Sequence, residues 1–204
     1  VLDLGGHTIN SNNVSLGGVI VNNFNNVTIQ HGSIINTVSN AIQINNAANT
    51  VINNINVDGI ATINTNAIAI NNSTSTRIEN TMINNNSGGS GISINSSSNT
   101  TIRNVTGCGS SNAGGGFPFG IISSIASIAT SIFDSILCAK PTFPIPSIGV
   151  AIQGGAGFII NNVQMINTLG GVVVQGAVGG QIINVIASGT GASGGINIDA
   201  AATN

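Results

Sequence analysis

The stretch Ala67–Asn104, AIAINNSTSTRIENTMINNNSGGSGISINSSSNTTIRN, decides the fold because it carries one motif twice. Ile68 and Ile92 each follow a small residue and each begin an apolar-x-apolar pair. Ten residues after each of them stands another Ile, and two residues further on stand Asn80 and Asn104. Apolar alternation in short runs is typical of β-strands, and a unit that recurs at a fixed period indicates a repeat fold.

The same unit recurs along most of the chain. The first apolar position, or anchor, is occupied by Val19, Ile42, Ile68, Ile92, Val150, Val172 and Ile196. Twelve residues after the first six anchors stand His31, Asn54, Asn80, Asn104, Asn162 and Asn184. Three residues after the anchors stand Asn22, Asn45, Asn71, Asn95, Gln153, Gln175 and Asp199. The shared phase predicts that residues of one kind stack on each other in successive coils.

These spacings predict an all-β chain that forms a single domain over residues 1–204. Irregular coils of about two dozen residues are typical of a single-stranded right-handed parallel β-helix, and the strict hexapeptide repeat of a left-handed one is absent. We expect about seven coils. One coil cannot bury its apolar face alone, so stacking supplies the core.

The amide columns have a physical reason. Neighbouring coils lie about 4.8 Å apart, and stacked carboxylates would repel each other at that distance. Amides carry both a donor and an acceptor, so each can bond the next. Asn also tolerates the left-handed conformation of sharp turns. We therefore predict a structural ladder of His31, Asn54, Asn80, Asn104, Asn162 and Asn184.

Several segments resemble the pectate-lyase-like parallel β-helix superfamily. They are Asn26-Val27-Thr28-Ile29, Thr76-Arg77-Ile78-Glu79-Asn80, Thr101-Ile102-Arg103-Asn104 and the opening Leu2-Asp3-Leu4-Gly5-Gly6-His7-Thr8-Ile9. The resemblance implies the fold but no one activity, since the superfamily includes polysaccharide lyases and hydrolases, phage tailspikes, adhesins and non-catalytic virion proteins.

The long step between the anchors Ile92 and Val150 predicts an insertion over residues 107–147. Ile121, Ile125, Ile128, Ile132 and Ile136 recur there at helical spacing, which predicts an α-helix over about residues 120–137. We weigh three roles for it: a cover on one lateral face, a contact with a neighbouring subunit, and, least favoured, a membrane contact.

Cys108 and Cys138 bracket most of this segment. A disulfide between them would close a loop of about 30 residues and stabilise the fold by about 3–4 kcal/mol. Two buried free thiols are the equal alternative, because sequence alone does not settle the geometry.

Charge is scarce, at 4% of residues, and the net charge is −2. The basic residues are Arg77, Arg103 and Lys140, too few for a nucleic-acid partner. A surface so poor in charge makes a poorly soluble monomer. We therefore expect a homo-oligomer, with a trimer favoured, or a larger assembly.

The acidic residues are Asp3, Asp58, Glu79, Asp134 and Asp199. No two of them share a column on adjacent coils, whereas a glycosidase needs two carboxylates across one bond. We expect no catalytic, cofactor-binding or metal-ligating residues and no cofactor. Glu79 and Arg103 follow their phased Ile by one residue, which predicts an exposed ion pair between coils.

Our leading hypothesis is a non-catalytic structural or attachment module, located on a virion or at an extracellular surface, such as a fibre, a spike or a capsid-associated protein. The alternative, implied by the resemblance, is a carbohydrate-active enzyme or a carbohydrate-binding β-helix with a glycan ligand. Since the chain begins at Val1, we expect a processed product or a fragment, and we expect another domain or partner to cover the open strand edges.

Overall fold

A computed structural model describes residues 1–14, 17–60, 65–84, 89–108, 120–139, 148–189 and 195–199. Within these ranges the regular structure consists of β-strands without a helix. The strands are β1 (Leu2–Asp3), β2 (Thr8–Asn10), β3 (Val19–Asn22), β4 (Thr28–Ile35), β5 (Ile42–Asn45), β6 (Val51–Asp58), β7 (Ile68–Asn71), β8 (Arg77–Glu79), β9 (Met82–Asn84), β10 (Ile92–Asn95), β11 (Thr101–Arg103), β12 (Thr106–Cys108), β13 (Gly120–Ile125), β14 (Ser131–Cys138), β15 (Ile148–Gln153), β16 (Ile159–Ile166), β17 (Val172–Gln175), β18 (Gln181–Ser188) and β19 (Ile196–Asp199).

The strands pair in parallel and form two sheets that wind into a parallel β-helix. The eight-stranded sheet, which we call face 1, has the order β19-β17-β15-β13-β10-β7-β5-β3. The remaining eleven strands form the second sheet. Each coil begins with one strand of face 1, so β3, β5, β7, β10, β13, β15 and β17 open coils one to seven. The prediction of an all-β parallel β-helix of about seven coils is confirmed.

The eleven-stranded sheet bends in the middle of every coil and so provides two faces. Residues up to the bend form face 2, and residues after it form face 3. In the eight-residue strands β4, β6, β14, β16 and β18, one residue with φ near +55° makes the bend, as Asn54 does at φ 55°. In coils three and four, Asn80 and Asn104 separate two short strands instead.

The core lies inside the coils and consists mainly of stacked Ile side chains. Register pairs Ile52 with Ile78, Ile78 with Ile102 and Ile102 with Ile132. All four side chains are fully buried. Fully burying such a side chain stabilises the fold by roughly 1.5–3 kcal/mol, so the Ile columns are the main driving force for stacking.

The predicted α-helix over residues 120–137 is wrong. Gly120–Ile125 and Ser131–Cys138 are strands that pair with coil four on one side and coil six on the other. Ile122 lies in register with Ile92 and Ile132 with Ile102, and both are fully buried, whereas Ile128 and Ile136 point outward and are exposed. The helical spacing thus arises from residues on different faces of one coil. The described residues contain no helix long and apolar enough to cross a membrane.

The expected insertion therefore contains a coil of the stack, the fifth. Gly107 and Cys108 also belong to the stack, in β12. Residues 109–119 and 140–147, which complete the expected insertion, lie outside the described residues.

A tight turn joins face 1 to face 2 in each coil and is itself stacked. Its outermost residues pair from coil to coil, and we call this column the turn ridge: Ala48, Thr74, Ser98, Ile128, Ala156 and Val178. Beneath it, buried Ser side chains cross-link the turns. The Ser97 hydroxyl accepts from the Ser73 N–H at 3.1 Å and donates to the Asn95 carbonyl at 2.9 Å. These bonds satisfy backbone groups that would otherwise be buried without partners.

Candidate functional site

The bend between faces 2 and 3 creates a groove that runs along the rod. One side is the ladder column, which consists of His31, Asn54, Asn80, Asn104, Asp134, Asn162 and Asn184. The other side is the wall column, which consists of Ser33, Asn56, Met82, Thr106, Ile136, Gln164 and Ile186. Buried residues such as Ile55 and Val105 lie between the two columns. We call this feature the ladder groove.

The left-handed conformation of the ladder residues shapes the groove. In β6, Ile52 points inward, Asn54 is exposed, and Ile55 and Val57 point inward again. One residue with positive φ therefore shifts the alternation and turns the strand. Asn and Asp adopt this conformation more readily than other side chains, so the sequence places them at this phase.

Amide bonds between coils are present, as the sequence predicted. Asn104 donates from Nδ2 to Asn80 Oδ1 at 2.7 Å, and Asn184 donates to Asn162 Oδ1 at 3.4 Å. Asn80 donates to Oδ1 of Asn53, the neighbour of Asn54, at 2.9 Å. The second amide column does the same on face 1, where Asn71 donates to Asn45 at 2.9 Å.

Asp134 is a ladder residue that the repeat pattern did not predict. It has φ +50°, lies in the fifth coil and accepts a 2.8 Å hydrogen bond from Asn162 Nδ2. A single carboxylate between two amides meets no like charge, and Arg103 Nε lies 3.3 Å from Asp134 Oδ2. One feature of the sequence could have identified it. Asp134 stands two positions after Ile132, just as Asn104 stands two positions after Ile102.

The charged side chains of face 2 form two ion pairs, and neither is the predicted one. Arg103 lies beside Glu79 in register, but Arg77 Nη2 contacts Glu79 Oε1 at 2.8 Å. Arg103 instead pairs with Asp134 and lies over the Phe133 ring, 5.5 Å from its centroid. These pairs are partly exposed to solvent, so each contributes less than about 1 kcal/mol.

Asp3 and His31 form a polar cluster at the N-terminal end of the ladder groove. His31 Nδ1 lies 3.2 Å from Asp3 Oδ2, Gln30 Nε2 donates to the same oxygen at 2.7 Å, and the Gly5 N–H donates to Oδ1 at 2.9 Å. The Gln30 bond first, then the Gly5 and His31 bonds, hold the pKa of the Asp3 carboxyl below its usual value. The sequence did not predict this cluster. No anchor precedes Leu2, so the spacing does not show which residues of the repeat β1 corresponds to.

A cavity of the groove lies beside this cluster. It has a volume of about 500 Å³ and is lined by His31, Asn54, Asn56, Asn80 and Met82 among others. The Asn56 Oδ1 atom is buried without a hydrogen-bond partner among the described residues. Two smaller cavities continue along the groove, one of about 200 Å³ beside Asn104 and one of about 280 Å³ beside Asp134.

Cys108 and Cys138 lie in register on β12 and β14 and form a disulfide, with their Cα atoms 4.6 Å apart. They occupy face 3 beyond the wall column and connect the fourth coil to the fifth. Among the described residues, no group of three or more His, Cys, Asp and Glu side chains is arranged to hold a metal.

The chain matches no protein-family model and no curated protein. Among solved structures, it is similar to DFA-IIIase from Arthrobacter chlorophenolicus A6 without its lid, with 13% identity and a TM-score of 0.60 over 92% of this chain. It is also similar to the enzymatically active domain of tailspike protein 2 from bacteriophage CBA120, with 11% identity and a TM-score of 0.51 over 96% of this chain. The chain has the right-handed parallel β-helix fold.

This likeness confirms the predicted fold, a right-handed parallel β-helix. The chain spans 55% of the DFA-IIIase chain and 38% of the tailspike chain. At 11–13% identity, the activities in these names describe those proteins, since one fold hosts many functions.

Proposed function

We propose that this β-helix is a non-catalytic structural or attachment module of a homo-oligomeric assembly, most simply a trimer, on a virion or cell surface. One observation carries the proposal. Large apolar side chains are exposed along the lateral surface of the rod, in a chain with only 4% charged residues. Ile128 is 57% exposed, Ile186 59% and Met82 46%. Exposed apolar stripes on a soluble protein mark surfaces that meet a partner.

The distribution of the acidic side chains supports a non-catalytic role. Asp3, Glu79 and Asp134 lie on three different coils, and each is engaged by side chains of this chain. Asp58 lies on face 3 of the second coil, and Asp199 lies on face 1. A glycosidase uses two carboxyl groups on either side of one sugar bond, whereas Glu79 and Asp134 are each paired with an arginine of this chain.

The fold itself suits an attachment role. Strand pairing and the core columns connect each coil to the next, and ladder bonds join several of the coils. The rod therefore presents its side chains at regular heights about 4.8 Å apart.

Light scattering coupled to size exclusion tests the proposal. We expect one species at three times the chain mass of 20.2 kDa, stable on dilution. A monodisperse monomer at all concentrations would overturn it.

Carbohydrate binding is a second candidate function, favoured by the cavity of about 500 Å³ beside His31. Its amide side chains, Asn54, Asn56 and Asn80, can donate and accept hydrogen bonds. A glycan array tests this candidate. Binding that is lost in Asn80→Ala would support it, and an array without any bound glycan would end it.

A further inference from the structure

Two parallel features run along the rod on opposite edges of face 2. The turn ridge projects at one edge, between faces 1 and 2, and the ladder groove is recessed at the other, between faces 2 and 3. Both repeat once per coil, so both have the same spacing along the rod axis. A convex and a concave feature with one repeat can fit together in register.

The chemistry of the two features matches in three of the six coils that carry both, the fourth, fifth and seventh. In the second, third and sixth coils a small ridge residue stands at the level of a larger wall residue: Ala48 with Asn56, Thr74 with Met82, and Ala156 with Gln164. In the fifth coil the ridge carries Ile128, 57% exposed, and the wall column carries Ile136, 43% exposed. In the seventh coil the corresponding residues are Val178, 40% exposed, and Ile186, 59% exposed. In the fourth coil both residues, Ser98 and Thr106, are hydroxylic.

Resting on the proposed oligomeric function, we propose that three copies of this chain pack side by side around a three-fold axis. The turn ridge of each copy lies in the ladder groove of the next. Such a contact is heterologous, because it joins two different surfaces, and it forms a closed ring when the rotation closes. In a closed ring all copies stand at the same height along the axis. Each coil therefore meets the same coil of the neighbouring copy, and Ile128 contacts Ile136 of the neighbour.

The position of the two features accounts for closure. Each coil has three faces, and the ridge and the groove lie at the two edges of face 2. Three rods joined edge to edge in this way turn face 2 toward the common axis. The side chains that would line the axis include the pair Arg77–Glu79 and Arg103, and the partner of Arg103 is Asp134 at the edge of the ladder groove, so these charges are already paired within one chain. A second copy therefore adds no unpaired charge there.

Single charges on the ridge or in the groove test the interface. We expect Ile128→Lys and Ile186→Lys each to raise the dissociation constant of the trimer at least tenfold, measured by sedimentation equilibrium. Ile20→Lys is the matched control, since Ile20 is 56% exposed but lies on the outer face of β3, and it should leave the trimer intact. Circular dichroism of each variant checks that the β-helix still folds.

A charge pair tests which residues meet. Ile128→Lys combined with Ile136→Glu in one chain places opposite charges on the same rung of neighbouring copies, so trimerisation should recover relative to Ile128→Lys alone. A trimer that tolerates both lysine variants, or a double variant without recovery, would overturn this interface and leave the proposed function standing. A monomeric parent chain would overturn both.

Discussion

At the level of single residues, the bend between faces 2 and 3 depends on one conformational requirement. Every ladder residue has φ between +49° and +56°, a region that costs most side chains roughly 1–2 kcal/mol. Asn meets the requirement at lower cost and adds a hydrogen bond to the next coil. The bend and the ladder are thus two consequences of the same side chain.

Substitutions at Asn104 separate these two contributions. Asn104→Gly keeps the positive φ and loses the 2.7 Å bond to Asn80, at a cost of about 1 kcal/mol. Asn104→Ala loses the same bond and also strains the backbone, so we expect it to be less stable than the Gly variant by about 1 kcal/mol. Urea unfolding measures both. An Ala variant as stable as the Gly variant would contradict the account of the bend.

Asp3 gives the first coil a dependence on pH. The unfolded carboxyl titrates near 3.8, and the bonds from Gln30, Gly5 and His31 lower its pKa in the folded chain. A group with a lowered folded pKa stabilises fully above its unfolded pKa and loses that contribution as the pH falls through the folded value. We therefore expect the melting temperature to fall as the pH is lowered from about 5 to about 2.

The variants Asp3→Asn and Gln30→Ala test this assignment. Both should show a smaller loss of melting temperature over the same acid range than the parent chain. Scanning calorimetry at fixed ionic strength makes the comparison. If the melting temperature of Asp3→Asn falls as much as that of the parent chain, the acid sensitivity comes from other groups.

At the level of the elements, residues of one column must fit the residues directly above and below them. The first position before each face 2 strand shows this fit. Thr50, Thr76, Thr100 and Thr130 fill it in coils two to five, whereas coil six has the larger Phe158 and coil seven has Gly180. A Cβ added to Gly180 would overlap the Phe158 ring. The missing side chain of Gly180 therefore leaves the space that the Phe158 ring occupies.

A double-mutant cycle measures this compensation. We expect Gly180→Thr alone to destabilise the fold by about 1–3 kcal/mol through overpacking. Adding Phe158→Thr restores the Thr column, so the pair should show a favourable coupling of about 1–3 kcal/mol. Additive effects would show that the two residues do not share space.

The fifth coil shows how far sequence reasoning reaches. The period-two pairs and the ladder phase predicted six coils correctly, because each anchor follows a small residue and precedes a second apolar residue. In the fifth coil Ile121 precedes the anchor Ile122, and Ser124 replaces the second apolar residue. The stack tolerates Ser124 because its hydroxyl lies 3.0 Å from the Thr130 hydroxyl inside the coil.

The false helix has a related cause. A helix and a coil of a β-helix both return apolar residues at short intervals. The Ile residues that satisfy the helical interval lie at different places in the fifth coil: Ile125 at the end of the face 1 strand, Ile128 on the turn ridge, Ile132 in the core and Ile136 in the wall column. The position of Asp134 two residues after Ile132, which is the ladder spacing, argues for a coil and against a helix. The contact between Asp3 and His31 in the ladder groove could not be predicted. It depends on how β1 aligns with β4, and β1 precedes the first anchor of the repeat.

At the level of the whole molecule, stability depends on how firmly each coil is connected to the next. The Cys108–Cys138 disulfide connects the fourth coil to the fifth and closes a loop with a sequence separation of 30 residues. We expect the double variant Cys108→Ala/Cys138→Ala to lose about 3–4 kcal/mol of unfolding free energy. Guanidinium unfolding with and without a reductant measures the loss. A reductant that lowers the midpoint of the double variant as much as that of the parent would contradict this role.

The fold, the groove and the proposed interface all depend on one claim. Residues at the same position of the repeat lie directly above one another in successive coils. The most direct test is a crystal structure, in which the Cα distances from Asp134 to Asn104 and to Asn162 are measured. We predict about 4.8 Å for both distances, with Ile132 buried between Ile102 and Ile160. Asp134 on an α-helix, with neither Asn within about 7 Å, the distance beyond which residues on adjacent parallel strands are no longer opposite, would contradict the account.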